Sequence, residues 1–169
     1  MLMLFMRFLS LLLISFILTA CGFHLRASYH IPEQLQQLNL NISSASALST
    51  PLRETLQQAH IQLGDGNYTL EILDDLLNKQ TTNTDSRAKA AEYTLYYTVS
   101  YQIKDAQHRV AMAERQLLLR RSYQYDTTAI VGKTAEEETL IRELYQDAAQ
   151  QILRQLSSFK PNQPTTVTP

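Results

Sequence analysis

Tyr93-Thr94-Leu95-Tyr96-Tyr97-Thr98-Val99-Ser100-Tyr101-Gln102-Ile103 alternates without a break. Tyr93, Leu95, Tyr97, Val99, Tyr101 and Ile103 fall on one side of an extended chain. Thr94, Tyr96, Thr98, Ser100 and Gln102 fall on the other. Successive side chains of a strand point to opposite faces, so the pattern predicts a sheet with one buried face. Tyr93, Tyr97 and Tyr101 read as core, and Tyr96 on the opposite face reads as a surface that could dock a partner.

The neighbours of this strand extend the sheet. Tyr68, Leu70 and Ile72 alternate with Thr69 and Glu71, predicting a strand that runs toward Leu77 and gives way to a polar stretch over 78–86. Residues 104–108 read as a hairpin connection. Residues 109–125 return as a long strand whose phase shifts: Val110 and Met112 are even, whereas Leu117, Leu119, Tyr123 and Tyr125 are odd. A bulge near 113–116 would restore the face. Upstream, Leu38, Leu40 and Ile42 alternate with Asn39 and Asn41, predicting a first strand within 34–42. Thr50 and Pro51 then read as N-cap and first residue of a helix. Leu52, Leu56, Ala59 and Leu63 form its apolar face, Gly64 its stop, and Gly64-Asp65-Gly66-Asn67 a turn.

The last element reads as a helix capped by Thr134, with Glu137 three residues on and Glu136 and Glu138 beside it. Ile141, Leu144, Tyr145, Ala148, Ile152, Leu156 and Phe159 make its apolar stripe. Pro161 stops it, and 160–169 read as a disordered tail. The order strand, helix, three strands, helix predicts an α+β fold over 33–159. It is a two-layer sandwich, with a four-stranded sheet and two helices packed on one face.

The whole chain has 169 residues and a formal charge of −1, with 44% hydrophobic residues. That suits one packed domain and speaks against a basic nucleic-acid binder. Its single cysteine, Cys21, rules out a disulfide scaffold. Upstream of it, Arg7 precedes an uncharged apolar run from Phe8 to Leu18, followed by Thr19 and Ala20. Charge, short apolar core and small residues have the layout of a signal peptide over 1–20. The competing reading is a membrane anchor. From Phe8 to Gly22 a helix would span about 22 Å, short of the roughly 30 Å of a bilayer core. The start codon could be that of Met1 or Met6. Leu18-Thr19-Ala20-Cys21 resembles the bacterial lipobox, in which the cysteine becomes the acylated first residue of the mature chain. Gly22, rather than Asp, resembles the outer-membrane sorting pattern. Residues 21–32 then read as a lipidated leader closed by Pro32.

Catalytic and metal-binding patterns are not evident. His24, His30, His60 and His108 lack metal-ligand spacing with one another or with carboxylates. Asp74 and Asp75 are adjacent on a strand and so point to opposite faces, which suits strand-edge solvation better than a carboxylate pair. The sequence therefore predicts neither an enzyme nor a metal or organic cofactor. Cations do occur in suggestive places: Arg87 and Lys89 before the best strand, Lys133 before the last helix, and Arg115, Arg120 and Arg121 on the partner strand. Loop cations can grip phosphates, Arg in bidentate geometry and Lys as a point charge. Ordinary solvated charge is the competing reading.

Cys21-Gly22-Phe23-His24-Leu25-Arg26 resembles the opening of mature proteins of the LptE family of lipopolysaccharide-assembly lipoproteins. Ala91-Glu92-Tyr93 is a second point of resemblance, and Glu143 to Leu156 is similar to the family's last helix. The resemblance implies a non-catalytic protein with a four-stranded sheet and two helices on one face. It implies an LptD-type outer-membrane β-barrel as partner, plugged by this chain, and attachment to the membrane through acylated Cys21. It also implies lipopolysaccharide as ligand of a basic residue in the loop before the Ala-Glu-Tyr strand and of a Lys before the last helix. Lys133 fits the second position. Arg87 fits the first with an offset of one residue, and Lys89 competes with it. The alternative is an envelope-assembly or transport accessory lipoprotein with no barrel-plug role.

Overall fold

The computed structural model describes residue 7 and residues 30–84, 90–124 and 130–160. Cys21, Arg87 and Lys89 lie outside them. A 3-10 turn at Glu33–Leu35 leads into β1 (Gln37–Asn41). There follow α1 (Ser49–Gln58), β2 (Gln62–Leu63), β3 (Tyr68–Thr84), β4 (Ala90–Asp105), β5 (Val110–Gln124) and α2 (Ile130–Ser157). The sheet order is β2-β1-β3-β4-β5. β1 runs parallel to both its neighbours, and β3, β4 and β5 form an antiparallel meander.

The α+β sandwich is as the pattern predicts, but the sheet has five strands rather than four. The extra strand is β2, which the sequence pattern assigns to the first helix. That helix ends earlier, at Gln58, in a Schellman motif. The N–H of His60 donates to Gln57 O at 2.9 Å and that of Ile61 to Leu56 O at 3.0 Å. His60 takes the left-handed position, φ 62°. Leu63 thus lies beside Leu38 in the sheet, not on the helix. The helix also starts earlier than its Thr-Pro signal: Ser49 is its first residue, and Leu48 caps it without a side-chain bond. Pro51 still falls in the first turn, where no N–H is needed.

Two further boundaries move. β3 continues through Lys79 to Thr84, paired with β4, where the sequence reads as a polar loop. Its ladder is carried by backbone bonds and by Thr81, Thr82 and Thr84, residues that suit extended chain. α2 begins at Ile130, so Thr134 lies inside it and cannot be an N-cap, and Lys133 belongs to its first turn rather than to a loop.

The expected bulge in β5 is present. Tyr101 faces Arg115 while Ile103 faces Met112, which leaves one extra residue on β5. A second irregularity between Met112 and Val110 turns Ala111 and Met112 inward, and Val110, expected on the buried side, is exposed.

Both helices cover the same face, α1 lying on α2. Leu52 and Leu56 of α1 and Leu144, Ala148, Ile152 and Leu156 of α2 meet Leu70, Leu95, Tyr97, Val99, Tyr101 and Ile103, all essentially without solvent contact. Burial of each leucine contributes about 2 kcal/mol. The Tyr97 ring meets Tyr145 of α2 edge-on at 4.9 Å. At the end of α2, Phe159 meets Tyr68 at 5.3 Å. Ile31 already belongs to this core.

Candidate functional site

The topology brings the cationic segments to one end of the sandwich. β3 and β4 end together at the Thr84–Ala90 pair, and Arg87 and Lys89 fall in sequence between these two ends, outside the described residues. Gln124 closes β5 opposite Glu92, and the chain re-enters at Ile130 as α2, with Lys133 in its first turn. The opposite end carries the tight turns of residues 64–67 and 105–109 and the C-terminus of α2.

Just inside the cationic end, four side chains from four elements converge. Lys79 Nζ of β3 lies 2.6 Å from Glu137 Oε2 of α2. The same ammonium sits 4.3 Å from the ring centre of Tyr93 of β4 and 5.6 Å from that of Tyr123 of β5. The Tyr123 hydroxyl donates to Glu137 Oε2, and the two rings are 5.8 Å apart. Desolvation pushes the Glu137 carboxyl up, but the bonds from Lys79 and Tyr123 outweigh it and hold the carboxyl below its ordinary value. For Lys79 desolvation acts downward, and its bonds to Glu137 and Tyr123 leave it raised overall. Both groups stay charged near neutrality.

The second candidate surface is the sheet face away from the helices. Thr98 of β4 is flanked in register by Leu76 of β3 and Leu118 of β5, which are 58% and 66% exposed. Tyr96 lies one pair along the same face, between Asn78 and Arg120. Beyond it the hydroxyls of Thr82, Thr94 and Ser122 form a chain at 3.2 and 2.7 Å. Apolar groups set among hydroxyls suit a contact face that remains soluble before it is covered.

Lys79, Leu76 and Leu118 were not legible as site residues. Lys79 falls in the polar stretch beyond the predicted end of its strand, and Leu118 is the middle of three leucines whose facing depends on the bulge. Asp75 also departs from expectation. It lies on a central strand, on the helix face, and accepts from Ser46 Oγ at 2.9 Å and Tyr97 Oη at 3.3 Å. Arg121 is engaged by Asp147 and Glu143 of α2, and Arg115 donates to Gln155. Arg120 is exposed and reads as solvated charge. Among the described residues no group of three His, Cys, Asp or Glu could hold a metal ion. No described helix is long and apolar enough to cross a membrane.

The chain is similar to known proteins over most of its length. Residues 35–156 match the family described as LptE, lipopolysaccharide-assembly. The chain is 31% identical to the LPS-assembly lipoprotein LptE of Photorhabdus laumondii, over 89% of this chain and 85% of that protein. It is 27% identical to that of Pectobacterium atrosepticum, over 87% and 82%. Among solved structures, a minor lipoprotein from Acinetobacter baumannii superposes with a TM-score of 0.66 at 32% identity, covering 77% of this chain and 98% of that one. The rare lipoprotein B of Shewanella oneidensis does so at 0.64 and 27%, covering 72% and 94%.

Proposed function

Given that the chain belongs to the LptE family of lipopolysaccharide-assembly lipoproteins, we propose that it is the plug and assembly partner of an LptD-type outer-membrane β-barrel and contacts lipopolysaccharide directly. Cys21, acylated, tethers it to the periplasmic face of the outer membrane. Arg87 or Lys89 from one segment and Lys133 from the other engage the ligand's phosphates. The role is one of binding and assembly, without catalysis or cofactor. The observation that carries this reading is that the strand ends flanking 85–89, at Thr84 and Ala90, lie at the same end of the sandwich as the end of β5 and the start of α2.

Chemically, cations from two segments suit a polyanionic lipid better than those of either segment alone. A Lys ammonium attracts phosphate as a point charge, and an Arg guanidinium adds paired hydrogen bonds. The first turn of a helix contributes N–H groups with no intrahelical partner, which add positive potential beside Lys133. The exposed row Leu76-Thr98-Leu118 with Tyr96 supports the barrel half of the reading, as a face able to lie against a lumen wall.

The test is affinity purification of the tagged full-length chain from detergent-extracted outer membranes. One stoichiometric, heat-modifiable large β-barrel is the expected companion. Recovery of free lipoprotein alone, with acylation confirmed, would leave only the accessory-lipoprotein role. In the same preparation, Arg87→Glu with Lys133→Glu should lower lipopolysaccharide retention at least about tenfold, the loss expected from removing two charge-assisted contacts. Retention equal to wild type would return those residues to solvated charge.

A further inference from the structure

β5 is the long edge of the sheet. The order β2-β1-β3-β4-β5 leaves it without a neighbour on its far side among the described residues, and the other edge is the two-residue strand β2. An edge strand presents unpaired N–H and C=O groups, and proteins blunt it with brevity, bulges, proline or charge. β2 is blunted by brevity. The bulge blunts β5 only near its start, between Met112 and Arg115. From Arg115 to Gln124 every residue is paired with β4 without a shift of register, and the stretch holds no proline or glycine. The outward backbone groups of alternate residues are therefore aligned as a further antiparallel or parallel neighbour requires.

Charge does not close this edge either. Arg121 is held by Asp147 and Glu143 of α2, and Arg115 by Gln155, so both are drawn toward the helix layer. Arg121 also donates to Arg120 O at 3.2 Å, an exposed bond that leaves that carbonyl a second lone pair. On the opposite face Leu118 is exposed. Two residues on, the exposed guanidinium of Arg120 makes no hydrogen bond or ion pair among the described residues.

We propose that residues 116–124 of β5 accept an added strand, an extended segment of another polypeptide that sets an apolar side chain beside Leu118 and a carboxylate beside Arg120. The inference goes beyond the function proposed above: a closed barrel wall has no strand edge to offer, so the segment lies outside such a wall. Ladder hydrogen bonds hold the segment, and side chains two residues apart on one face select it. Opposed residues of neighbouring strands lie about 5 Å apart, close enough to cover the leucine and pair the guanidinium. A second copy of this chain fits less well. The antiparallel register that sets Leu118 against its own counterpart also sets Arg115 against Arg121, like charges directly opposite.

The experiment places photoreactive benzoylphenylalanine at Gln116, Leu118 or Gln124, all exposed, one position at a time in the full-length chain within the cells that make it. Cross-links should reach one segment of one partner. The contact point should move along it by about two residues from Gln116 to Leu118 and about six more to Gln124, as adjacent strands dictate. That segment should carry an acid two residues from an apolar side chain. Arg120→Glu should lower the yield at Leu118 at least about fivefold and Arg120→Lys less than about twofold. The thermal midpoint of each variant should stay within about 2 °C of the unaltered chain. Contacts scattered over several segments would overturn strand addition and leave a face resting on a wall. Cross-links to a second copy or within the chain would overturn the proposed occupant. Absence of cross-links at all three positions, or a yield indifferent to Arg120→Glu, would overturn the proposal as well.

Discussion

The two ends of the sandwich are built by opposite rules. At the turn end two side chains bond the backbone of the turns directly, and further side chains bond one another. Asn39 donates to Gly66 O at 2.7 Å and accepts from Gly66 N–H at 3.4 Å. Asp105 Oδ1 accepts from the N–H groups of Gln107 and Arg109 at 2.9 Å each. Glu71, bonded first by Lys104 and then by Gln102, is held below its ordinary carboxylate value. At the cationic end most of the described side-chain contacts are side chain to side chain, and the Lys79–Glu137 pair is partly exposed. Backbone-anchored turns fix the fold.

The largest test of this contrast is Gly66→Ala. A Cβ there would lie 2.3 Å from Gln37 O and 2.6 Å from its carbonyl carbon, so β1 itself would have to move. A loss of about 3 kcal/mol is expected, at the upper end for overpacking, read as a lower urea midpoint with unchanged slope. A loss below about 1 kcal/mol would show that this end yields more easily than its contacts suggest.

Alkaline titration probes the core between the ends. Burial raises the Tyr97 hydroxyl above its ordinary value, helped by Asp75, and burial alone pushes Tyr101 up to about 12. Tyr101 Oη has no hydrogen-bond partner. The unfolded chain therefore loses these protons more readily than the folded one. Their stabilising preference is complete below pH 10.0 and is lost as pH rises through the folded values. Chemical-denaturation midpoints should fall steeply above pH 10 and less steeply in Tyr101→Phe. Equal slopes would show that this hydroxyl is not the group responsible.

The smallest pair of effects sets one end directly against the other. Asn39→Ala should cost about 1.5 kcal/mol, because two backbone groups of Gly66 lose their partner. Lys79→Met should cost about 0.5 kcal/mol or less. Thermal melts of the two variants side by side would erase the contrast if Lys79→Met proved the more damaging.

What the sequence made legible follows the same division. The β4 alternation, the α2 stripe, the 105–109 hairpin and the β5 bulge were readable because each buries one face, and burial writes a period into the chain. β2 was hidden because two residues cannot show a period and Leu63 happens to continue the helical spacing of Leu52, Leu56 and Ala59. The outer half of β3 was hidden because polar residues on both faces carry no alternation, although the ladder to β4 continues, with two shifts of register, to the Thr84–Ala90 pair. Thr134 and Glu137 imitate a capping box, yet Glu137 is committed to Lys79 and Tyr123 instead. The cationic residues could be named from the sequence, but the Lys79–Glu137–Tyr123–Tyr93 cluster could not, because its members lie far apart in the chain and meet only in the fold.

Elementary beam mechanics gives the long strands a further meaning. β5 stays laddered to β4 out to the Glu92–Gln124 pair, and β3 to β4 out to the Thr84–Ala90 pair. The sheet therefore keeps three strands abreast almost to the cationic end, and a wider lamina bends less under the same load. The Thr82–Thr94–Ser122 hydroxyl chain runs across that width, so a load on any one strand is shared by its neighbours.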